Sequence, residues 1–187
     1  MKIKFISLAL ALTLCLGLAA PARAAAGYSD IPSGHWSEAS VNKATALGLF
    51  QGVGNGKFGR GQPITKAAFV TALVRLFGWE EVTPAKASFT DVTANRWFYT
   101  AVETARANGA FAATSGAFHP TDNITREEMA VMIVRSLGYA SLAGTASSYP
   151  CPFPDVTTNK GFITLAYDMG IVEGVNGGKF ALSLIHI

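Results

Sequence analysis

The sequence contains the same pattern of residues three times. Each copy begins with an aromatic-x-Asp-Ile/Val motif, and the three aspartates are Asp30, Asp91 and Asp155. In the first two copies a Trp follows the Asp by six residues, and a Gly follows that Trp by twelve. A repeat of this kind indicates small units that bury their apolar faces against one another. We therefore predict three tandem units, at residues 28–78, 89–139 and 153–187.

The third copy is shorter than the others. Its Asp155 precedes the Gly by fifteen rather than eighteen residues, so three loop residues are missing, and no Trp occupies the expected place. After Phe180 the pattern requires a polar turn and a new helix start, but residues 182–187 are mainly apolar. We therefore predict that the third unit is truncated and would expose apolar surface.

Each complete copy predicts two helices joined by a Gly-rich loop. In the second copy, segment 97–108 has apolar residues at helical spacing and is followed by a glycine, which suits a helix C-cap. The second helix begins at Thr125, whose hydroxyl can cap it while Glu128 reaches back, forming a capping box. The equivalent Thr65 of the first copy is followed by Ala68 instead of Glu, so this helix start is predicted to be weaker.

The apolar spacing also predicts which face of each second helix is buried. The predicted faces are Phe69, Leu73, Val74 and Leu76 in the first copy, and Met129, Met132, Ile133 and Leu137 in the second. Segments 79–88 and 140–152, rich in Ala, Ser, Thr and Pro, are predicted to be connectors. The expected fold class is all-α, with tandem helix-loop-helix repeats packed on one another.

These motifs resemble the S-layer homology (SLH) domain family. The resemblance rests on the Phe-x-Asp-Val start, the spaced Trp, the Gly-Ile/Leu-x-x-Gly turn, the Gly-x-Phe-x-Pro loop and the Ile-Thr-Arg-Glu-Glu-Met helix start, and it covers nearly all of residues 28–182. It implies a pseudo-threefold assembly around a central helical bundle. It also implies that grooves between copies bind secondary cell-wall polysaccharide, often pyruvylated, and so anchor an exported protein to the bacterial envelope without a covalent bond.

The resemblance further implies which residues contact the carbohydrate. The candidates are Arg126, Lys66, Trp36, Trp97, Asp30, Asp91, Thr125 and Gly116. An Arg can bind a sugar carboxylate through two parallel hydrogen bonds, whereas a Lys keeps the charge but loses this fork. The third copy lacks both the Trp and the basic helix start, so it is not expected to supply an equal groove.

Each candidate also has a purely structural interpretation. Arg126 could pair with a carboxylate such as Glu127 or Asp122. The shared spacing of Trp36 and Trp97 would follow equally from packing in the core, which is the favoured interpretation. The repeated aspartates suit the capping of turns through their own backbone. The loop glycines, including Gly116, are favoured as turn residues with positive φ.

The first residues predict export. Lys2 and Lys4 precede an apolar stretch that leads to the small residues Ala22 and Ala24, the order found in secretory signal peptides, and we assign residues 1–24 to the signal. Three of the 15 Lys and Arg residues lie in it, which leaves 12 against 12 Asp and Glu. A neutral mature chain gives no support for a nucleic-acid or membrane partner. We expect a secreted protein at the cell wall or cell surface.

The sequence shows no catalytic or metal-binding pattern. The histidines His35, His119 and His186 are scattered, and adjacent carboxylates diverge on a helix. Once the signal is removed, Cys151 is the remaining cysteine and is expected to be a structural thiol. We predict no enzymatic activity, no metal and no cofactor.

Two alternatives to a wall-anchoring module remain open. The chain could be the anchoring part of a truncated secreted glycan hydrolase, because SLH domains are often fused to polysaccharide-degrading domains. It could also be a structural surface-layer protein that has no glycan site.

Overall fold

The computed structural model describes residues 27–112, 116–175 and 177–181. Over these residues the regular structure consists of α-helices, and extended pairing is limited to three isolated β-bridges. The helices are α1 (Glu38–Ala46), α2 (Lys66–Phe77), α3 (Tyr99–Ala107), α4 (Arg126–Ser136), α5 (Ala140–Ala146) and α6 (Lys160–Asp168). The predicted all-α class is confirmed. The predicted signal, residues 182–187 and His186 lie outside the described residues.

The chain divides into two compact units, Met1–Phe58 and Gly59–Ile187. The division falls inside the Gly-rich loop of the first copy. In the first unit, the ring of Phe58 packs against Tyr28 and Phe50, with ring centroids 5.3 and 6.0 Å apart. The Thr45 hydroxyl on α1 donates a hydrogen bond to the Tyr28 hydroxyl, 3.2 Å away. These contacts fix α1 against the start motif of its own copy.

In the second unit, each second helix of a copy packs against the first helix of the next copy. Helix α2 packs against α3, and α4 packs against α6. The third copy shares its core with α4; the buried members of this core are Ala130, Val134, Phe153, Val156, Ile163, Ala166 and Phe180. Cys151 is a free thiol, partly buried against the same core. The copies therefore depend on one another for burial, as the repeat pattern predicts.

The predicted buried faces of α2 and α4 are only partly correct. The buried residues are Ala67, Phe69, Val70, Ala72 and Leu73 in α2, and Ala130, Met132 and Val134 in α4. Leu76 and Leu137, which were predicted to face the core, are exposed. The prediction gave weight to the largest apolar side chains, whereas the neighbouring helices contact faces rich in Ala and Val, which permit a close approach.

The predicted connector 140–152 contains a helix, so this prediction is wrong for residues 140–146. Helix α5 packs against α6 and buries Ala143 and Ala146. Alanine is the strongest helix former, and this alanine-rich segment finds a partner surface on α6. A Cβ atom added at Gly161 of α6 would lie 1.8 Å from the carbonyl oxygen of Ala143. The close approach of the two helices therefore requires glycine at this position.

The third copy is three residues shorter than the others in the loop between its start Asp and helix α6. Helices α1, α3 and α6 each have nine residues. The start Asp precedes α1 and α3 by eight residues but precedes α6 by five. Asn159, which immediately precedes α6, has a positive φ of 49°. The shorter loop thus reaches its helix through a left-handed residue, and the helix keeps its full length.

Gly161→Ala is expected to destabilise the protein by about 1–3 kcal/mol, because the new methyl group would overlap the Ala143 carbonyl. The matched control is Gly144→Ala in α5, where an added Cβ meets open space. This control should stabilise the protein by about 0.4–1 kcal/mol, because alanine restricts the unfolded chain. Urea unfolding followed by circular dichroism measures both changes, and equal stability of the two variants would contradict the close contact.

Candidate functional site

A long-range hydrogen bond closes each copy by joining its start Asp to the main chain of its later loop. The donors are the N–H groups of Phe58 for Asp30, of Phe118 and His119 for Asp91, and of Phe180 and Ala181 for Asp155. The N···O distances are 2.7–2.9 Å, and the paired residues are 25–28 positions apart. These aspartates therefore have a structural role, as expected. However, they bond to the main chain of a distant loop rather than capping a local turn.

The aromatic residue of each start motif packs on the Phe of the same loop. The pairs are Tyr28–Phe58, Phe89–Phe118 and Phe153–Phe180, with ring centroids 5.3, 5.4 and 5.4 Å apart. The start motif therefore holds the loop through its Asp and its aromatic ring together. The third copy retains both contacts although it lacks the Trp.

The pKa values of two of these aspartates reflect the hydrogen bonds. In Asp155 the Phe180 N–H has the largest effect and lowers the pKa of the carboxyl group. In Asp91 burial raises the pKa, but the N–H groups of Phe118 and His119 outweigh it, so the pKa lies below its ordinary value. The folded state therefore favours charged carboxylates at these positions.

The two repeated tryptophans project into solvent. Trp36 is 86% exposed and Trp97 is 67% exposed, so the favoured interpretation that they pack in the core is wrong. In the second copy Phe98 occupies the core instead, and the Trp97 ring contacts it edge-on at 5.3 Å. The Trp36 ring lies 5.5 Å from the imidazole of His35. Equal spacing identifies an equivalent position, but it does not show on which side the ring points.

Short polar contacts hold the loop that carries Trp36. The main-chain N–H of Gly34 donates to the Glu38 carboxylate at 2.7 Å, and the His35 imidazole lies 2.8 Å from the Ser37 hydroxyl. Glu38 is the first residue of α1. The loop is thus tied to the helix that follows it, which positions the exposed indole.

The N-terminus of α2 is capped by the second copy. The N–H of Lys66 donates to the Asp122 carbonyl at 2.9 Å, and the N–H of Ala67 donates to the Pro120 carbonyl at 3.0 Å. Within the first copy, the Thr65 hydroxyl accepts from the N–H of Ala68 at 3.3 Å. The missing reciprocal Glu is therefore offset by carbonyl groups from the neighbouring copy, which the sequence of one copy could not reveal.

Lys66 is engaged in an ion pair between copies. Its ammonium group lies 2.8 Å from the Glu128 carboxylate, and its side chain is largely buried. Burial raises the pKa of Glu128, but the hydrogen bonds from Lys66 and Thr125 lower it by more. The pKa therefore lies below its ordinary value. Glu128 thus neutralises the charge that Lys66 would offer to an anionic ligand.

The predicted capping box at the start of α4 is confirmed. The Thr125 hydroxyl accepts from the N–H of Glu128 at 3.1 Å, and the Glu128 carboxylate accepts from the N–H of Thr125 at 2.8 Å. The Thr125 hydroxyl also donates to this carboxylate at 2.9 Å. The hydroxyl is therefore occupied by interactions inside the protein.

Arg126 contacts the third copy, and within the described residues it does not form the alternative pairing with Glu127 or Asp122. Its guanidinium donates a hydrogen bond to the main-chain carbonyl of Glu173 and lies 4.7 Å from the centroid of the Phe180 ring. Glu127 instead accepts hydrogen bonds from the side chains of Thr158 and Asn159, at 2.5 and 2.8 Å. Both contacts of Arg126 within the described residues are with uncharged groups.

The expectation that loop glycines adopt positive φ is confirmed. Gly116 has φ of 126°, and its carbonyl accepts from the N–H of Thr90 at 2.9 Å. Gly109, which follows α3, has φ of 75° and ends that helix as predicted. At Gly52 an added Cβ would lie 2.4 Å from the Lys57 carbonyl oxygen, so this turn also requires close backbone approach.

The structure thus groups the predicted candidates in different ways. Lys66 and Thr125 meet at Glu128, whereas Arg126 meets Phe180 and Glu173. Sequence reasoning missed Phe180 and Glu173 as partners of Arg126. The sequence does show that Phe180 is equivalent to the loop phenylalanines of the other copies. It does not show that Phe180 contacts Arg126 at the start of α4.

The part of the chain that the structure describes contains neither a membrane-spanning helix nor a cluster of metal ligands. None of its helices combines the length and apolar character needed to cross a membrane. The same residues contain no group of three His, Cys, Asp or Glu side chains arranged to hold a metal ion.

The family model for the S-layer homology domain matches residues 27–70 and 88–130. These two segments, which correspond to the first two copies, therefore belong to the S-layer homology domain family. The third copy shares with them the hydrogen bonds between its start Asp and its loop.

Curated relatives include surface-layer and cell-wall proteins and an endoglucanase. The chain is 33% identical over 144 residues to a surface layer protein of Brevibacillus choshinensis, covering 74% of this chain and 12% of the relative. It is 36% identical over 106 residues to the middle cell wall protein of Brevibacillus brevis, covering 54% and 10%. It is 29% identical over 198 residues to an endoglucanase of Bacillus sp. (strain KSM-635), covering 96% and 21%.

The chain thus spans between 10 and 21% of the length of these three relatives. The family and the surface proteins among the relatives indicate a location at the cell surface or cell wall.

Stability is expected to fall as the pH drops below about 4, since the unfolded chain then binds more protons than the folded one. The lowered pKa values of Asp91 and Asp155 give this sign: their stabilisation is complete above the ordinary value of 3.8 and is lost as pH falls through the native values. Urea unfolding between about pH 6 and about pH 3 measures the change.

Asp91→Asn tests the origin of this pH dependence. It should cost about 1 kcal/mol near neutral pH, because the amide keeps only one acceptor oxygen for the two N–H donors, and it should lose less stability on acidification than the unchanged protein. Asp122→Asn is the matched control at an exposed position of the same copy and should cost little. An unaltered acid response in Asp91→Asn would argue against the hydrogen-bonded carboxylate as its source.

Proposed function

We propose that this chain anchors an exported protein to the bacterial envelope, without a covalent bond, by binding secondary cell-wall polysaccharide. The observation that carries the proposal is the exposure of Trp36 and Trp97 at the same position of two copies. Membership of the SLH family and similarity to surface-layer and cell-wall proteins support a non-catalytic module that acts at the cell surface.

The exposed indoles suit a carbohydrate ligand. A large aromatic side chain stabilises a fold mainly when it is buried, and neither Trp36 nor Trp97 contributes in this way. Each presents a flat apolar face on a loop that leads into the first helix of its copy. A sugar ring that stacks on this face would bury it. Ligand contact therefore explains why a Trp occupies this exposed position in two copies, which core packing does not explain.

Arg126 supplies a positive charge for an acidic sugar. Its guanidinium has five N–H donors in a fixed fork. Its partners within the described residues, a main-chain carbonyl and an aromatic ring, carry no formal charge to neutralise it. It is also the first residue of α4, where the helix dipole favours an anion. A pyruvyl carboxylate on the polysaccharide is the ligand group we assign to it.

The remaining candidates are assigned supporting roles. Lys66 is neutralised by Glu128, and Thr125 is held by the capping box. The carboxylates of Asp30 and Asp91 accept main-chain hydrogen bonds that close their copies. The backbone of Gly116 shapes the loop of the second copy. These groups would position the binding surface rather than contribute its main contacts.

The pseudo-threefold SLH assembly is also part of the proposal. In the second unit, α2 packs against α3 of the next copy and α4 packs against α6 of the next copy, which is one packing rule used twice. A third application of the rule would place the copies around a common bundle, with binding grooves between neighbours.

A second candidate function is anchoring of a secreted glycan hydrolase. The similarity to an endoglucanase, which covers 96% of this chain but 21% of that protein, supports it. In this case the chain would be the binding module of a longer enzyme, and the mechanism of attachment would be unchanged.

Trp97→Ala and Trp36→Ala are each expected to weaken binding to isolated cell walls while changing stability by no more than about 0.5 kcal/mol. Co-sedimentation of the purified protein with walls, before and after chemical removal of the polysaccharide, measures binding. Trp79→Ala is the matched control, because this Trp lies outside the repeated position and stacks on Phe77 at 4.9 Å. Equal sedimentation with stripped and intact walls would favour a structural surface-layer protein without a glycan site.

Arg126→Ala should weaken wall binding by roughly tenfold or more, because a hydrogen bond to a charged group contributes about 1.5–3 kcal/mol. Arg126→Lys, which keeps the charge but loses the fork, should bind with intermediate affinity. Lys66→Ala provides the comparison: it breaks the ion pair with Glu128 and should affect stability more than binding. Unchanged affinity of Arg126→Ala would place the anion site elsewhere.

A further inference from the structure

A cavity of about 500 Å³ lies between α5, the segment that follows it and α6. Its lining residues fall within 142–168, outside the two segments that match the SLH family model. None of the candidate wall-binding residues contributes to it. Its volume is within the range of roughly 300–1,000 Å³ typical of small-molecule sites.

Two tyrosines supply flat faces at the same cavity. Tyr149 is 64% exposed, and Tyr167 is 44% exposed. The Tyr167 ring is fixed edge-on against Phe153, with centroids 5.3 Å apart. Exposed tyrosines of this kind offer an apolar face for stacking and a hydroxyl for hydrogen bonding, a combination that suits a sugar ring.

The charge of the lining limits the ligand further. Among the described lining residues, Asp168 carries the formal charge, and the other polar groups are hydroxyls. A carboxylate repels an anionic polymer but accepts hydrogen bonds from sugar hydroxyl groups. The cavity therefore has the opposite charge preference from the surface around Arg126.

We propose that this cavity is a second glycan site that binds an uncharged sugar ring, with Tyr149 and Tyr167 stacking on the ring and the Asp168 carboxylate accepting hydrogen bonds from its hydroxyl groups. It does not depend on the proposed wall-anchoring site. Its residues lie in the segment that joins the second copy to the third and in the first helix of the third copy.

The test is a nuclear magnetic resonance titration of the full protein with three probes. Cellobiose and N,N′-diacetylchitobiose are uncharged, and glucuronic acid is anionic. The uncharged probes are expected to shift the amide signals of residues 142–168 with roughly millimolar affinity, and glucuronic acid is expected to shift them far less. Absence of shifts with both uncharged probes, or stronger binding of glucuronic acid, would overturn the proposal.

Tyr167→Ala and Tyr139→Ala form a matched pair, because both tyrosines are 44% exposed and only Tyr167 lines the cavity. Tyr167→Ala should abolish measurable binding, whereas Tyr139→Ala should not change it. Should Tyr167→Ala fail to fold, Tyr149→Ala provides the same test at a more exposed position. Loss of binding in Tyr139→Ala to the same degree would contradict the site.

Two further arms identify what the cavity binds. A proline-rich peptide that shifts the signals of residues 142–168, while the sugars do not, would assign the cavity to peptide docking and overturn a glycan site. Arg126→Ala should leave affinity for the uncharged probes unchanged. Failure at the cavity would therefore leave the wall-binding proposal standing, and failure of wall binding would leave the cavity proposal standing.

Discussion

The structure depends on the hydrogen bonds between the carboxylate that starts each copy and the main chain of a loop 25–28 residues later. The loop itself is rich in glycine and offers little apolar surface, so hydrophobic burial alone would not fix its path. Once the carboxylate holds the loop, its Phe is placed against the start aromatic. In the third copy the same Phe180 also lies under Arg126, so the contact that closes the copy also supports the proposed anion site.

The joints between copies show how similar helix starts acquire different chemistry. Lys66 and Arg126 are each the first residue of a second helix. Lys66 meets the Glu128 carboxylate of the next copy, whereas Arg126 meets a carbonyl and an aromatic ring. A carboxylate partner removes the charge that an anionic ligand needs, but a carbonyl and a ring orient the guanidinium without neutralising it. Whether Lys66 or Arg126 can bind an anionic ligand therefore depends more on the group beside it than on whether the residue is Lys or Arg.

Local chemistry was predictable from the sequence, and partners between segments were not. The capping box of Thr125 and Glu128 lies within four residues, so the pattern predicts it directly. The direction of Trp97 depends on Phe98, which takes the core position beside it. Helix α5 was missed because its alanines gain stability from α6, a partner that composition does not reveal. The partners of Asp91 and Arg126 likewise lie 27 or more positions away.

Stability and recognition use different residues of one motif. The Asp closes the copy, while the Trp six residues later leaves its ring in solvent and contributes little to the core. A copy that loses the Trp therefore loses a proposed sugar contact but not its fold. The third copy has this composition: Asp155 keeps its loop hydrogen bonds, and Phe153, Ile163 and Phe180 remain buried. Its part in the wall site would be to supply Phe180 and the Glu173 carbonyl to Arg126, which makes the second copy dependent on it.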